Sequence, residues 1–522
     1  MLGRNFFHMT WRKFVALAAF AFWVRSLFFI CWYPPYDGFD EFMHVAYLQY
    51  LHEEGEPPVY GKSITPKSLY PDMIRYPHAE VSWRVIRDTG ARSFRNFYGH
   101  TPELLNTPDI SLYQGQHPPL YYRITDPLYQ GLHSRFGMAT SLGVLRALNA
   151  AFGACALFLL LAPLAGIFGE SRIVRFSILA AVSWPMFLVN AIRVANDALA
   201  ILFAAAAFYL VTQFRADKPR MLLVALAGLL LGLGAMTKLV AFLFLPAFVA
   251  YFIWLAATER GARLRWLLAV VALTAGYLVV AGSFHLASHE AFGTYFPQQE
   301  TMLNASAMHS SSELLGMMKW SDPWTIFGQR LLLTAWTSGM TFMKQGAFAY
   351  WLTGGFFAAC LVGWVAWFAT SRRTLTRSLV HGSVLILLCV GAVFAAGYMH
   401  ALHSRLQWNA VLTPSHYVMQ AFPLLIVFAG FGLRGLPSRA GEVLMAASAA
   451  AFVVIEAHSW IAVAVPYWTQ TRDPSLAWQR MDALTGAAGL SPIFLAIWTL
   501  LAWWLAVTAW RVNQRDDAPR GG

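Results

Sequence analysis

The sequence predicts an all-α polytopic integral membrane protein of about 12 transmembrane helices, with two long outward-facing loops containing short interfacial helices. Three observations predict it. Of 522 residues, 58% are hydrophobic and only 12% are charged, against roughly 25% charged in a soluble domain. The mean hydropathy is +0.50. Apolar stretches of about 20 residues, long enough to cross a bilayer, recur along the chain. These observations exclude a soluble enzyme and a disordered chain. The 4 cysteines are too few for a disulfide scaffold. Cys31, Cys155, Cys360 and Cys389 all stand in apolar runs and read as small buried thiols.

In chain order, spans are expected near 14–33, 141–167, 174–192, 197–214, 221–236, 238–257, 265–285, 347–369, 379–400, 417–435, 443–465 and 493–511. The first reads as a retained anchor, because Arg25 interrupts it and Trp32-Tyr33-Pro34-Pro35 is a poor cleavage site. Gly228-Leu229-Leu230-Leu231-Gly232 reads as a small-residue packing face. The net charge of +12 sits in clusters between spans, which is a topology signal and not a nucleic-acid footprint. With Arg4, Arg12 and Lys13 inside, the other inner clusters run from Arg172 and Arg175 to Arg511, Arg515 and Arg520. Both termini are then cytoplasmic, in the cytoplasmic (inner) membrane.

Two outer segments are long, from about Pro34 to Thr140 and from about Leu286 to Gly346. Apolar residues such as Trp320, Trp324, Trp336 and Phe342 among polar ones argue for folded loops over linkers. Gln49-Tyr50-Leu51-His52 and Leu331-Leu332-Leu333 suggest short amphipathic helices. Three units are expected: 1–285 with the outer loop 34–140, the second outer loop 286–346, and C-terminal helices in 347–522.

The residues that carry chemistry gather on the predicted outer side, while the inner loops hold almost nothing but Arg and Lys. The densest group is Gly38-Phe39-Asp40-Glu41-Phe42-Met43-His44, directly after the first span. A helix begun at Asp40 puts His44 one turn on, beside both carboxylates. Such a group suits a general base or a divalent cation; the alternative is that Asp40 is an N-cap with Glu41 in a favourable first turn. Asp37 reads as a turn residue. Gln116-His117-Pro118-Pro119-Leu120-Tyr121-Tyr122 holds a histidine in a stiff backbone. Arg193-Val194-Ala195-Asn196-Asp197 is a tight hairpin, in which Asn-Asp either caps the next helix or faces a ligand. Lys238 stands where two apolar spans meet and must snorkel or find an anion. His400, His403, Arg405, His416 and Tyr417 form a late group suited to an anionic head group.

In their order, these motifs resemble the GT-C superfamily of polyprenyl-phosphate-dependent glycosyltransferases, in particular the protein O-mannosyltransferase and aminoarabinose-transferase branch. The Asp-Glu pair after the first span, the closing His-Pro-Pro-Leu-Tyr-Tyr, the Asn-Asp-Ala-Leu-Ala helix start and Leu-Gly-Leu-Gly-Ala-Met-Thr-Lys carry the resemblance over roughly residues 10–260. The remainder matches in layout, with Pro414-Ser415-His416-Tyr417 where many members have Arg-Tyr. The resemblance implies an inverting transfer of a sugar from a polyprenyl-phosphate donor to a hydroxyl of a glycan, lipid or protein acceptor. Asp40 maps onto the family base, with Glu41 the other candidate catalytic residue. The resemblance sets Lys238, then Arg405, against the leaving phosphate, and His44, His117, Arg193, Asn196, Asp197, His416 and Tyr417 around the substrates. The resemblance fixes no cofactor. A divalent cation held by Asp40, Glu41, His44 and His117 is the open alternative, because some members use a metal. An O-antigen-type ligase or polymerase typically places its large loop late. A transporter usually shows repeats and midplane charges, and a non-catalytic scaffold is the remaining alternative.

Overall fold

The computed structural model describes residues 9–79, 86–101, 103–214, 220–297, 302, 311–316, 347–370, 375–408 and 418–512. The described residues are helical, joined by turns, with two isolated β-bridges in the first loop. The longer helices in chain order are α1 (Trp11–Ile30), α2 (Glu41–Glu54), α3 (Leu120–Phe136), α4 (Met138–Leu161), α5 (Arg172–Val182), α6 (Pro185–Ala191), α7 (Asp197–Gln213), α8 (Met221–Ala235), α9 (Phe244–Thr258) and α10 (Arg263–Phe292). After the second loop come α11 (Ala347–Thr370), α12 (Arg377–Trp408), α13 (Phe422–Phe431), α14 (Ser438–His458), α15 (Pro474–Thr485) and α16 (Ser491–Trp510). Among the described residues, 8 helices are long and apolar enough to cross a membrane, or 9 if the bent pair α5–α6 is one span. The shorter apolar helices are Asp197–Gln213, Met221–Ala235 and Phe422–Gly435. The chain is a multi-span membrane protein.

Several boundaries differ from the sequence reading for local reasons. The span expected at 174–192 is bent by 44°. Pro185 has no N–H to donate and holds Trp184 extended at φ −65°, ψ 118°. Lys238 is not the first residue of a helix. It is extended at φ −156°, ψ 132°, and a short 3-10 turn, Leu239–Leu243, leads into α9. α10 runs on to Phe292 and α12 to Trp408, so Arg405 stands on a helix and not in a loop. Residues 331–333 and the tryptophans at 320, 324 and 336 lie outside the described residues, as do Phe342, His416 and Tyr417.

The membrane helices share one apolar core. α8 and α10 approach through the small-residue face: a Cβ on Gly228 would come within 2.1 Å of the Leu273 carbonyl oxygen. A Cβ on Gly276 would come within 2.2 Å of the Ala225 carbonyl oxygen. Only glycine permits this backbone contact. The first loop has a second core of its own, built from Phe42, Tyr47, Leu112, Tyr121 and Tyr122 of the loop with Leu145 of α4 and Val194. α2, including residues 49–52, therefore packs as part of a folded unit on the ends of α4 and α7, and α3 closes that unit.

Candidate functional site

The second core sets the backbone of the loop against the hairpin at 193–197, and polar side chains fill the seam. Asp40 precedes α2 in the left-handed region, at φ 57° and ψ 8°. A non-glycine residue there costs about 1–2 kcal/mol. Its carbonyl accepts the first helical bonds, from Met43 and His44, but its carboxylate does not cap the helix. The half-buried carboxylate instead accepts a bond from the Tyr113 hydroxyl at 2.5 Å. Burial lifts the Asp40 carboxyl above the ordinary carboxylate range, against the lowering pull of Tyr113, Arg193 and Lys238.

Glu41 has a different environment. It is fully buried, and Arg146 of α4 grips it in a fork, Nε to Oε1 at 2.8 Å and Nη2 to Oε2 at 2.6 Å. The Val194 N–H donates to Oε1 at 2.8 Å and the Gly38 N–H to Oε2 at 3.3 Å. Arg146 also donates to the carbonyls of Tyr33 at 2.5 Å and Pro34 at 2.7 Å. Asn149, one turn along α4, donates to the carbonyls of Arg193 at 2.6 Å and Ala195 at 3.1 Å. α4 thus fastens both the 33–41 turn and the 193–197 hairpin. Every oxygen of Glu41 is committed, so the two adjacent acids are not equivalent.

The hairpin and the 236–238 break supply the cations. Arg193 donates to the Phe39 carbonyl at 2.8 Å and pairs with Asp197 at 2.7 Å. Lys238 pairs with the other Asp197 oxygen at 2.7 Å. Asn196 donates to the Thr237 carbonyl at 2.9 Å, and the Leu120 N–H donates to the Met236 carbonyl at 3.2 Å. These bonds join the hairpin, the 236–238 break and the start of α3. His117 is extended before its two prolines, as a residue preceding proline must be. Its ring lies parallel to that of His44, 6.1 Å between centroids. His44 Nδ1 shares a 2.7 Å hydrogen bond with the Tyr122 hydroxyl. Burial, followed by the Lys238 charge, depresses the His117 imidazole to about 3. Burial and the neighbouring His117 keep His44 well below 6.5. Both rings are therefore neutral at pH 7.

The structure thus gathers Asp40, His44, His117, Arg193, Asp197 and Lys238 around one seam, with Asn196 behind it. Arg405 is half-buried on the last turn of α12. Asp37 is not merely a turn residue: it is fully buried and its Oδ2 accepts from Trp468 Nε1 at 2.7 Å. Among the described residues, no three His, Cys, Asp or Glu side chains are placed to hold a metal. Glu41 is turned to Arg146, and His44 to Tyr122. Sequence reasoning missed Arg146, Asn149 and Tyr113. An arginine inside an otherwise apolar span was the available signal for Arg146; Tyr113 is one of 20 tyrosines and carried none.

No curated protein matches the sequence. Among solved structures, ArnT from Cupriavidus metallidurans bound to undecaprenyl phosphate is 15% identical over 95% of this chain and 74% of that chain, with a TM-score of 0.46. The same protein in its apo state is 15% identical over 86% and 70%, with a TM-score of 0.41. The archaeal oligosaccharyltransferase AglB from Archaeoglobus fulgidus, in complex with an inhibitory peptide and a dolichol-phosphate, is 14% identical over 97% and 56%, with a TM-score of 0.36. Residues 132–283, which span α4 to α10 and hold Arg146, Arg193, Asp197 and Lys238, match the family model of dolichyl-phosphate-mannose-protein mannosyltransferase. That match bears out the resemblance carried by the motifs: the chain is similar to glycosyltransferases of the GT-C type.

Proposed function

We propose that this protein is a membrane glycosyltransferase that moves a sugar from a polyprenyl-phosphate donor to an acceptor hydroxyl, with inversion. The observation that carries the reading is Asp40, a half-buried carboxylate with a raised pKa, beside a paired Arg193–Asp197–Lys238 group. A carboxylate whose pKa is raised by burial is a stronger base than an ordinary aspartate. Asp40 takes the proton of the acceptor hydroxyl as its oxygen bonds to the anomeric carbon. The bond from that carbon to the phosphate oxygen breaks, and the lipid phosphate leaves with the electron pair. Arg193 and Lys238 together carry one more positive charge than Asp197 neutralises, which suits the charge developing on that phosphate.

In this reading Glu41 is a positioning residue and not a second base, and Arg146 sets it. Tyr113 orients the Asp40 carboxylate. His44 and His117, neutral at pH 7, contribute hydrogen bonds to acceptor or sugar hydroxyls. No metal step is part of it. The base and phosphate residues fall within 1–285, the unit proposed as catalytic, with 286–346 the second outer loop and 347–522 the C-terminal helices. The inner clusters of Lys and Arg support an inner-membrane protein with both termini cytoplasmic and the site facing outward.

The test is mass spectrometry of polyprenyl-phosphate sugars in membranes of cells lacking the protein, compared with cells restored by the native chain or by Asp40→Asn. One lipid-linked sugar should accumulate without the protein, fall with the native chain and persist with the variant. No change in any strain would overturn the reading.

A further inference from the structure

A hydrogen bond from the C-terminal helices reaches the turn that carries Asp40. α14 continues past His458 through a π turn, Ser459–Ala464, and a last helical turn, Val465–Thr469. π turns are rare and recur at functional sites. Trp468, in that last turn, is fully buried, and its Nε1–H donates to Asp37 Oδ2 at 2.7 Å across 431 residues of chain. Among the described residues, Asp37 Oδ1 finds no hydrogen-bond partner, so the indole directs the carboxyl. Burial raises Asp37 well above the ordinary carboxylate range, against the lowering pull of the Trp468 bond and of Arg146. A neutral acid still accepts from the indole through its carbonyl oxygen.

The indole is itself held. Its ring lies 5.6 Å from that of Tyr33 and 5.2 Å from that of Trp460, centroid to centroid. The Tyr98 hydroxyl donates to the Trp468 carbonyl at 3.0 Å. Arg480 donates to the Thr469 carbonyl at 2.6 Å, and its guanidinium stands 4.1 Å from the Tyr98 ring centroid. Strain marks the same joint. Among the described residues, three non-glycine residues have positive φ: Tyr36 at 64°, Asp40 at 57° and Gln470 at 51°. The first two bracket Asp37, and the third stands two residues after Trp468. Such conformations persist where surrounding contacts over-determine them, and they gather at active sites. Arg146 holds the turn by Glu41, and Arg193 holds it by the Phe39 carbonyl. The Trp468 bond holds the segment between the two strained residues.

Resting on the transfer reading, we propose that Trp468 is a positioning residue for Asp40, acting through Asp37. Its N–H fixes the left-handed turn, and so the direction in which the Asp40 carboxylate meets the acceptor hydroxyl. Trp468 itself takes no part in the bond exchange.

The test uses the full-length protein in detergent, with membranes of cells lacking it as the source of lipid-linked sugar and acceptor. Mass spectrometry follows consumption of the polyprenyl-phosphate sugar over a dilution series, and hydrogen–deuterium exchange follows residues 36–44. Trp468→Phe removes the donor and keeps an aromatic ring. It should speed exchange in 36–44 and lower the limiting rate by about 10–100-fold, with the half-saturating donor concentration unchanged. Asp37→Leu, which leaves Trp468 in place, should do the same. Asp37→Asn keeps the accepting oxygen and should recover most of the rate, a recovery that loss of packing alone does not predict. Matching melting temperatures show that the variants are folded. Native rate and exchange in Trp468→Phe would overturn the role. So would a raised half-saturating concentration at the native limiting rate, or an Asp37→Asn variant as slow as Asp37→Leu. Consumption of no lipid-linked sugar by the native protein would instead overturn the transfer reading, and this role with it, whatever the exchange shows.

Discussion

Two buried Arg–Glu pairs in this protein have opposite quality. Arg146–Glu41 closes at 2.6 Å as a two-pronged fork. Its remaining capacity is used by two backbone N–H groups and two backbone carbonyls. Arg25–Glu456, between α1 and α14, stands at 3.5 Å. Among the described residues, Nε and Nη2 of Arg25 and Oε1 of Glu456 find no hydrogen-bond partner. Both pairs pay the desolvation of two charges, but only the first recovers it through geometry. A buried ion pair organises its surroundings when every lone pair and proton is used. The fork joins the turn at 33–41 to the hairpin at 193–197, and the candidate site lies on that joint.

The contrast breaks first at Glu41. Glu41→Gln leaves Arg146 buried opposite a neutral amide, and the loss should be about 3–5 kcal/mol. Thermal unfolding in detergent measures it, and a cost below about 1 kcal/mol would make the fork no better than an ordinary contact. The smaller effect belongs to the other pair. Replacing both partners, Arg25→Met with Glu456→Leu, should be neutral or stabilising by about 1–4 kcal/mol, because it removes two poorly satisfied charges together. A strong destabilisation by that double change would show that Arg25 and Glu456 are as well satisfied as the fork.

The helices were legible because hydropathy over about 20 residues is a strong signal. The expected spans fall on helices, but the one at 174–192 is a bent pair and those at 197–214, 221–236 and 417–435 fall on helices shorter than a span; Gly228 and Gly232 do pack against a neighbour. The bend before Pro185 and the extended Lys238 were not legible, because both depend on one residue within a long apolar window. In the site, Asp40, His44, His117, Arg193, Asp197 and Lys238 could be read from short polar motifs at the ends of spans. Their unequal surroundings could not. Asp40 and Glu41 differ only in what lies across the fold: Tyr113, 73 residues on, for one, and Arg146, 105 residues on, for the other. Helix α3 was also missed, since Pro127 stands inside it and its composition is mixed.

The most direct test of Asp40 as the base is the pH dependence of sugar transfer by the purified protein, with Asp40→Asn alongside. The active form is the carboxylate, so the rate should fall as pH drops through the Asp40 pKa. Burial places that acid limb above the 3.8 of an ordinary aspartate. Asp40→Asn should lower the rate by about 10²–10⁴-fold and abolish the limb, with the melting temperature unchanged. Transfer by the variant within about threefold of native, with the same acid limb, would contradict the account.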